Sequence, residues 1–127
     1  MKKKILIVDD EKLILFSLVA ALENDSVAVT TAVNGGNALA KAADIENCNL
    51  CIVDLYLPDM KGLDLIPQLK ELHPDSNFII ITGKYRTKKD FLEHEKGADA
   101  IGPFAFLTKP FDFSLAQQLV REALADH

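Results

Sequence analysis

The sequence predicts an α/β three-layer sandwich, in which a five-stranded parallel sheet carries helices on both faces. Two observations support this prediction. Short apolar runs rich in β-branched residues alternate five times with segments of helical composition, which is typical of a parallel sheet with right-handed crossovers. The third run, at 50–54, is also apolar up to Asp54, with no alternating polar residues, as expected for a strand buried on both faces.

Five strands and five helices can be placed along the chain. The predicted strands are residues 4–8, 27–31, 50–54, 78–81 and 104–108. The predicted helices are residues 12–24, 37–45, 63–72, 87–96 and 113–125. Gly35 and Gly36 are expected to separate the second strand from the second helix. Thr87 and Asp112 are the expected N-caps of the last two helices. Residues 98–103 fit no single element.

Size and charge limit the class of protein. A chain of 127 residues predicts one domain, spanning residues 1–127. The net charge of -5 argues against direct nucleic-acid binding, which uses basic surfaces. No apolar run approaches the roughly 20 residues that span a bilayer, and carboxylates at Asp9 and Asp10 end the first run too early for a signal peptide. We therefore expect a cytoplasmic protein without a membrane partner.

The two cysteines, Cys48 and Cys51, form a lone C-x-x-C sequence. A zinc site would need further cysteine or histidine ligands close by in the sequence. In a strand, residues three apart point to opposite faces, so we interpret both cysteines as small buried hydrophobic residues. A redox or metal site is the alternative. The histidines, His73, His94 and His127, lie away from the strand ends and receive no role.

Polar side chains follow the apolar strands at the point where each strand ends. Asp9 and Asp10 end the first strand, Asp54 the third, Thr82 the fourth and Lys109 the fifth. Because the carboxyl ends of parallel strands meet at one edge of a sheet, we expect these side chains to share a cleft. Three carboxylates repel one another unless a cation joins them. The preference of Mg²⁺ for oxygen ligands makes it the expected ion.

With a metal ion bound, Asp54 is a carboxylate nucleophile of the kind that forms aspartyl-phosphates. Phosphoryl transfer requires positioning and charge neutralisation more than covalent help. Lys109 would neutralise part of the incoming charge, and the Thr82 hydroxyl would donate to a phosphoryl oxygen. The alternative is a purely structural salt-bridge cluster of Asp10, Asp54 and Lys109, although such a cluster costs desolvation free energy.

Four blocks of the sequence resemble the signature of response-regulator receiver domains of two-component signalling. They are VDDE at 8–11, VDLYLPDMKG at 53–62, ITG at 81–83 and LTKPF at 107–111. The resemblance covers essentially the whole chain and implies a flavodoxin-like fold with strand order 2-1-3-4-5. It implies a switch phosphorylated on Asp54 by a sensor histidine kinase or a phosphotransfer protein, followed by slow self-dephosphorylation.

The resemblance also assigns roles to the strand-end residues. It implies that Mg²⁺ is held by Asp9 or Asp10, by Asp54 and by the backbone carbonyl of Tyr56. It assigns Thr82 and Lys109 to the phosphoryl oxygens. A cis peptide bond is expected between Lys109 and Pro110.

Other positions concern signal output and lifetime. Phe106 stands where an aromatic ring of the family moves on phosphorylation and changes the surface around the fourth helix and fifth strand, but plain core packing is the alternative. Tyr56 and Lys84 flank the path of a hydrolytic water and would slow loss of the phosphoryl group, unless both side chains point into solvent. Residues 97–104 make this part of the chain longer than is usual for the family.

The first predicted helix is apolar on more than one face, so we expect Ile14 and Phe16 to contact a kinase. A homodimer on activation is a further expectation. The sequence leaves open whether the domain acts alone or belongs to a longer protein. Two other functions remain as alternatives. One is a pseudo-receiver that only binds partners. The other is an aspartyl-phosphate phosphatase, which would need an acid/base aspartate where Tyr56 stands.

Overall fold

The computed structural model describes residues 2–125 and confirms the predicted α/β sandwich. His127 lies outside the described residues. The strands are β1 Lys3–Val8, β2 Val27–Ala32, β3 Leu50–Asp54, β4 Asn77–Thr82 and β5 Ala105–Thr108. The helices are α1 Lys12–Leu22, α2 Gly35–Asp44, α3 Gly62–Leu72, α4 Lys88–His94 and α5 Phe113–Leu124, with a short 3-10 helix Ala98–Ile101 before β5. Within residues 2–125, no helix has both the length and the apolar character needed to cross a bilayer.

All strand pairings are parallel, and the strand order is the predicted 2-1-3-4-5. β3 lies between β1 and β4, with Val53 opposite Val8 and Asp54 opposite Ile81. The strand order reverses between β1 and β3, because β2 lies on one side of β1 and the later strands lie on the other. The carboxyl ends of these two strands are therefore neighbours at the position where such sheets bind ligands.

Each face of the sheet has its own hydrophobic core. Side chains alternate between the two faces along β1, with Leu6 and Val8 on one and Ile5 and Ile7 on the other, as the two-residue period of a strand requires. We call the core on the side of α2, α3 and α4 the front core; its helical members include Ala38, Ala42, Leu65, Ile66, Leu69 and Phe91. The back core lies beneath α1 and α5 and includes Leu15, Leu18, Leu22, Ala116 and Val120.

Gly35 and Gly36 do not separate β2 from α2 as predicted; they form the first turn of the helix. Asn34 is the N-cap, and its side chain accepts a hydrogen bond from Asn37 N at 2.7 Å. The carboxylate of Asp59 accepts hydrogen bonds from Gly36 N at 2.9 Å and Gly35 N at 2.8 Å. These bonds lower the pKa of Asp59. They satisfy amides that a helix start leaves unpaired, so the helix begins earlier than its composition indicates.

The buried stripe of α5 consists of Ala116 and Val120, whereas Leu115 is exposed. Asp112 caps the helix by accepting a hydrogen bond from Ser114 N at 2.7 Å. Adjacent residues of a helix are separated by about 100° around its axis, so Leu115 falls outside the stripe.

The residues between α4 and β5 form a separate small element. α4 ends at His94, two residues before the predicted end, and the 3-10 helix Ala98–Ile101 follows. Gly97 and Gly102 flank this 3-10 helix with φ angles of 87° and 82°, which favour glycine. Ile101 is buried in the front core, and its carbonyl accepts a hydrogen bond from Lys70 on α3. The additional residues therefore extend the front core.

Candidate functional site

One ammonium group contacts three carboxylates at the carboxyl edge of the sheet. Asp9 directly follows β1, Asp54 ends β3 and Lys109 directly follows β5. Lys109 Nζ lies 2.8 Å from Asp9 Oδ2, 3.0 Å from Asp54 Oδ2 and 2.9 Å from Glu11 Oε1. We call Asp9, Glu11, Asp54 and Lys109 the acidic cluster. The fold thus brings together residues that are up to 100 positions apart in the sequence.

Burial and the contacts between Lys109 and the carboxylates have opposite effects on the pKa values in this cluster. Asp9 is 0% exposed, and burial raises its pKa to about 6 against the opposing effects of the Lys109 ammonium and a hydrogen bond from Glu11 N. Burial lowers the pKa of Lys109, but its contacts with the Asp9, Glu11 and Asp54 carboxylates outweigh burial, so that pKa is raised. Lys109 therefore stays charged, and the cluster retains an excess of negative charge.

The donor atoms of the acidic cluster fit a divalent cation. Carboxylate oxygens of Asp9, Glu11 and Asp54 all lie within 4.8 Å of one another. Asp9 Oδ2 is buried and, among the described residues, has an ion-pair partner but no hydrogen bond. Closely spaced carboxylate oxygens are the ligands that Mg²⁺ prefers in proteins.

The position of Glu11 is a feature that sequence analysis missed. Asp10, which we predicted as a ligand, is exposed beside the cluster and is not one of its three grouped carboxylates. The available signal was the run of three carboxylates, Asp9, Asp10 and Glu11, directly after β1. Which members of that run turn towards Asp54 depends on the path of the loop.

Thr82 and the loop after β3 also lie at the carboxyl edge of the sheet, beside the acidic cluster. Thr82 is buried at the end of β4, where its Oγ1 accepts a hydrogen bond from Lys84 N at 3.1 Å. Lys109 N donates to the Thr82 carbonyl at 2.8 Å and thereby joins the ends of β4 and β5. Tyr56 N donates to Asp54 Oδ1 at 3.2 Å, which orients the carboxylate. The Lys109–Pro110 peptide bond is cis.

Phe106 belongs to an aromatic group on the α4 side of the sheet. It is half-buried on β5, and its ring centroid lies 5.6 Å from that of Phe91. Phe91, fully buried on α4, also contacts Tyr85 and Phe104 at 5.9 and 5.5 Å. Phe106 is therefore packed between the sheet and α4.

Tyr56 and Lys84 are partly exposed, at 36% and 56%, and contact each other. Lys84 Nζ donates to Tyr56 Oη at 2.8 Å and lies 5.0 Å from the tyrosine ring centroid. Tyr56 Oη in turn donates to Glu95 Oε2 at 3.0 Å. Both side chains thus lie in one polar network beside the acidic cluster.

Glu95 is the centre of this network. Its carboxylate also accepts a hydrogen bond from Tyr85 and lies 3.6 Å from Lys61 Nζ and 3.9 Å from Lys84 Nζ. The Tyr85 hydrogen bond is the main reason that the pKa of Glu95 is lowered. We call Glu95, Tyr56, Lys84, Tyr85 and Lys61 the Glu95 network. It connects the loops after β3 and β4 to the end of α4.

We expect Glu95→Gln to lower the free energy of unfolding by about 1–2 kcal/mol at pH 7, because it removes a buried charge with several hydrogen-bond partners. A carboxylate with a lowered pKa stabilises the fold above its unfolded-state pKa and loses that contribution as the pH falls through its folded-state pKa. The difference between the wild type and Glu95→Gln should therefore shrink below about pH 4.

Urea denaturation at several pH values would measure this difference. Glu93→Gln is the matched control, because Glu93 is 54% exposed and its ion pair with Lys89 spans 4.0 Å. Exposed ion pairs contribute little, so this control should stay within about 0.5 kcal/mol of the wild type. An equal effect of the two substitutions would contradict the role of the Glu95 network.

The predicted docking residues of α1 differ in exposure. Phe16 is 75% exposed, but Ile14 is half-buried against the back core. Leu13, which the sequence analysis did not select, is 82% exposed. Phe16 and Phe113 line the same shallow surface cavity of about 340 Å³. The large exposed apolar side chains of this helix are therefore Leu13 and Phe16.

The sequence profile of the response regulator receiver domain matches residues 5–121. The chain belongs to this family. A receiver domain of Methanospirillum hungatei JF-1 has a similar structure, with a TM-score of 0.83, 32% identity and coverage of 98% of this chain and 94% of that one. Receiver domains are the signalling switches of two-component systems, and phosphorylation and Mg²⁺ binding are general properties of the family.

Two further relatives are informative. The transcriptional regulator NtrC of Azospirillum brasilense is 33% identical over 120 residues, which cover 94% of this receiver domain but 24% of that regulator. A Burkholderia pseudomallei response regulator, solved with a phosphorylated aspartic acid, a calcium ion and citrate, has a TM-score of 0.76 and 31% identity, covering 96% of this chain and 69% of that one. The chain thus spans about a quarter of NtrC.

Proposed function

We propose that this receiver domain is a phosphorylation-dependent switch that accepts a phosphoryl group on Asp54 from a histidine kinase or a phosphotransfer protein. The observation that carries the proposal is the acidic cluster: the Asp54 carboxylate ends β3 beside Asp9 and Glu11 and lies 3.0 Å from the Lys109 ammonium. The phosphorylated aspartic acid of the Burkholderia relative supports it.

The acidic cluster also supports Mg²⁺ as the cofactor. The proposed ligands are Asp9, Asp10, Asp54 and the backbone carbonyl of Tyr56, with Glu11 at the same edge. When bound, Mg²⁺ would neutralise charge on the phosphoryl group and on the carboxylates around it. The excess of carboxylates over ammonium groups in the cluster is the reason to expect a divalent ion.

The chain's own residues would then act on the phosphoryl group. An Asp54 carboxylate oxygen forms the new bond to phosphorus, while the bond between phosphorus and the donor atom breaks. Lys109 Nζ, already 3.0 Å from Asp54 Oδ2, neutralises phosphoryl charge. The Thr82 hydroxyl accepts from Lys84 N and keeps its own proton free to donate to a phosphoryl oxygen.

The proposed output is a change in the surface around α4 and β5. Phosphorylation adds about -1.5 to -2 charges and three acceptor oxygens at Asp54, and Thr82 would move towards them. Phe106, whose ring already contacts Phe91, would then move into the space that Thr82 and its loop vacate. Tyr56 connects the Glu95 network to Asp54 through its backbone amide and to the end of α4 through its hydroxyl. The Tyr56 and Lys84 side chains would limit the access of water to the phosphoryl group and slow self-dephosphorylation.

A helical kinase domain is the proposed upstream partner. Leu13 and Phe16 are exposed on α1, the helix that directly follows the Asp9–Glu11 loop. An apolar patch at this position would let a helix dock beside Asp54. A second copy of the domain is the partner expected on activation.

The test is intact-mass spectrometry after incubation with Mg²⁺ and acetyl phosphate. We expect a gain of about 80 Da, the mass of one phosphoryl group, and no gain when a chelator replaces Mg²⁺. Asp54→Asn should abolish the gain. Asp64→Asn, which changes an exposed carboxylate on α3, is the matched control and should label like the wild type.

Two results would overturn the proposal. A wild-type protein that gains no mass while another receiver domain labels in the same tube would favour the pseudo-receiver. An undiminished gain in Asp54→Asn would place the phosphoryl group on a different residue.

A further inference from the structure

Cys48 and Cys51 lie side by side at the amino end of β3, opposite the edge that carries the acidic cluster. Their Sγ atoms are 3.9 Å apart, and both side chains belong to the front core. The expectation that they point to opposite faces is wrong, because β3 begins at Leu50 and Cys48 precedes it. The alternation of a strand does not extend to a residue before its start.

The pair has few other partners. Cys51 Sγ lies 3.6 Å from Ser76 Oγ, and Cys48 Sγ lies 3.4 Å from the Leu50 carbonyl. Within residues 2–125, neither group of three neighbouring metal-ligating side chains contains a cysteine, so a zinc site lacks ligands. The reaction available to the two neighbouring thiols is therefore the formation of a disulfide with each other.

The two thiols differ in access and in acidity. Both thiols are buried, at 4% exposure for Cys48 and 0% for Cys51. Cys48, but not Cys51, lines an open cavity of about 300 Å³ beside His73 and Pro74. A hydrogen bond from Cys51 lowers the pKa of Cys48 against the effect of burial, and the His73 ring adds to the lowering. The same hydrogen bond and burial raise the pKa of Cys51. Because Cys48 borders the cavity and Cys51 does not, Cys48 is the thiol able to react first.

We propose that Cys48 and Cys51 form a redox site, at which the two thiols become an intramolecular disulfide by exchange with a small disulfide of the glutathione class. The sulfur atoms must approach by about 2 Å to reach the S–S bond length. Cys48 lies outside the strand ladder, in the connection between α2 and β3, so it can move without breaking sheet pairing.

The exchange proceeds in two steps, through a mixed disulfide on Cys48. Cys48 gives up its proton and attacks one sulfur of the small disulfide, which breaks that S–S bond and releases one small thiol. The Cys51 thiol then loses its proton and attacks Cys48 Sγ, which releases the second small thiol. The protein loses two hydrogens and is oxidised, and the small disulfide gains them and is reduced.

The test is to incubate the reduced protein with oxidised glutathione, alkylate the remaining thiols and measure the intact mass. We expect the wild type to lose about 2 Da and both alkylatable thiols. Cys51→Ser should stop at a mixed disulfide on Cys48, a gain of about 305 Da for one glutathione. Cys48→Ser should remain unmodified, because Cys51 is 0% exposed and does not line the cavity. Circular dichroism would establish that both variants are folded.

The wild-type measurement decides the proposal even if a variant does not fold. A wild type that retains both thiols, or that gains two glutathione adducts, overturns it. Equal labelling of Cys48→Ser and Cys51→Ser would overturn the assignment of Cys48 as the attacking thiol. The result is independent of phosphorylation, since it involves no atom of the acidic cluster.

Discussion

Replacing Lys109 by methionine should lower the free energy of unfolding by about 3 kcal/mol in the absence of divalent ions. Methionine retains most of the buried alkyl chain but removes the charge, which leaves the carboxylates of Asp9 and Asp54 buried without a cation. Removing one partner of a buried ion pair costs about 3–5 kcal/mol. Urea denaturation with a chelator present would measure the loss.

Two further variants make this experiment specific. Asp9→Asn in the Lys109→Met background should recover part of the lost stability, because it removes one uncompensated buried carboxylate. Lys89→Met should change stability by less than about 0.5 kcal/mol, since Lys89 is exposed and has a 4.0 Å ion pair with Glu93. A Lys109→Met protein as stable as Lys89→Met would show that Lys109 does not hold the acidic cluster together.

Gly62→Ala should destabilise the protein by at least about 2 kcal/mol and reduce phosphoryl uptake at Asp54. Gly62 is the first residue of α3, and its amide donates to the Leu55 carbonyl at 2.7 Å. A Cβ atom at Gly62 would overlap the Asp54 carbonyl oxygen and lie 3.1 Å from Leu55 Cα. Because these atoms belong to the backbone, the overlap can be relieved only by moving the end of β3.

Gly36→Ala is the matched control for this substitution. Gly36 also lies in the first turn of a helix, but the nearest atom to its Cβ position is Asp59 Oδ2 at 3.5 Å, an ordinary contact. Alanine at such a site is expected to stabilise by about 0.5 kcal/mol. Thermal unfolding and the acetyl phosphate labelling rate would compare the two variants, and similar values for both would refute the steric argument.

The fold was predictable because its signals are local and repeated. Short apolar runs alternate with segments of helical composition along the chain, so the alternation alone favours a parallel sheet. Polar residues stand at the ends of four of the five strands. The same signals placed Asp9, Asp54 and Lys109 at one edge. The register and strand order then brought them into contact, with distances of 2.8 and 3.0 Å.

What the sequence did not predict depends on loops and on distant pairs. The turn of Glu11 towards Asp54 and the exposure of Asp10 follow from the path of one loop. The Glu95 network joins Tyr56 to a residue 39 positions away, and a single sequence contains no signal for such a pair. Cys48 was misplaced because the start of β3 at Leu50 decides whether strand alternation applies to it.

The contacts of Lys109 have a consequence for the order of events at the acidic cluster. An ammonium group has three N–H donors, and Asp9, Glu11 and Asp54 are already three partners of Nζ. A phosphoryl oxygen that contacts Lys109 would therefore compete with these carboxylates for the ammonium group. Glu11 is the one most open to water, at 59% exposure against 0% and 8% for the other two. Phosphorylation should thus release the Glu11 side chain into solvent, next to the start of α1.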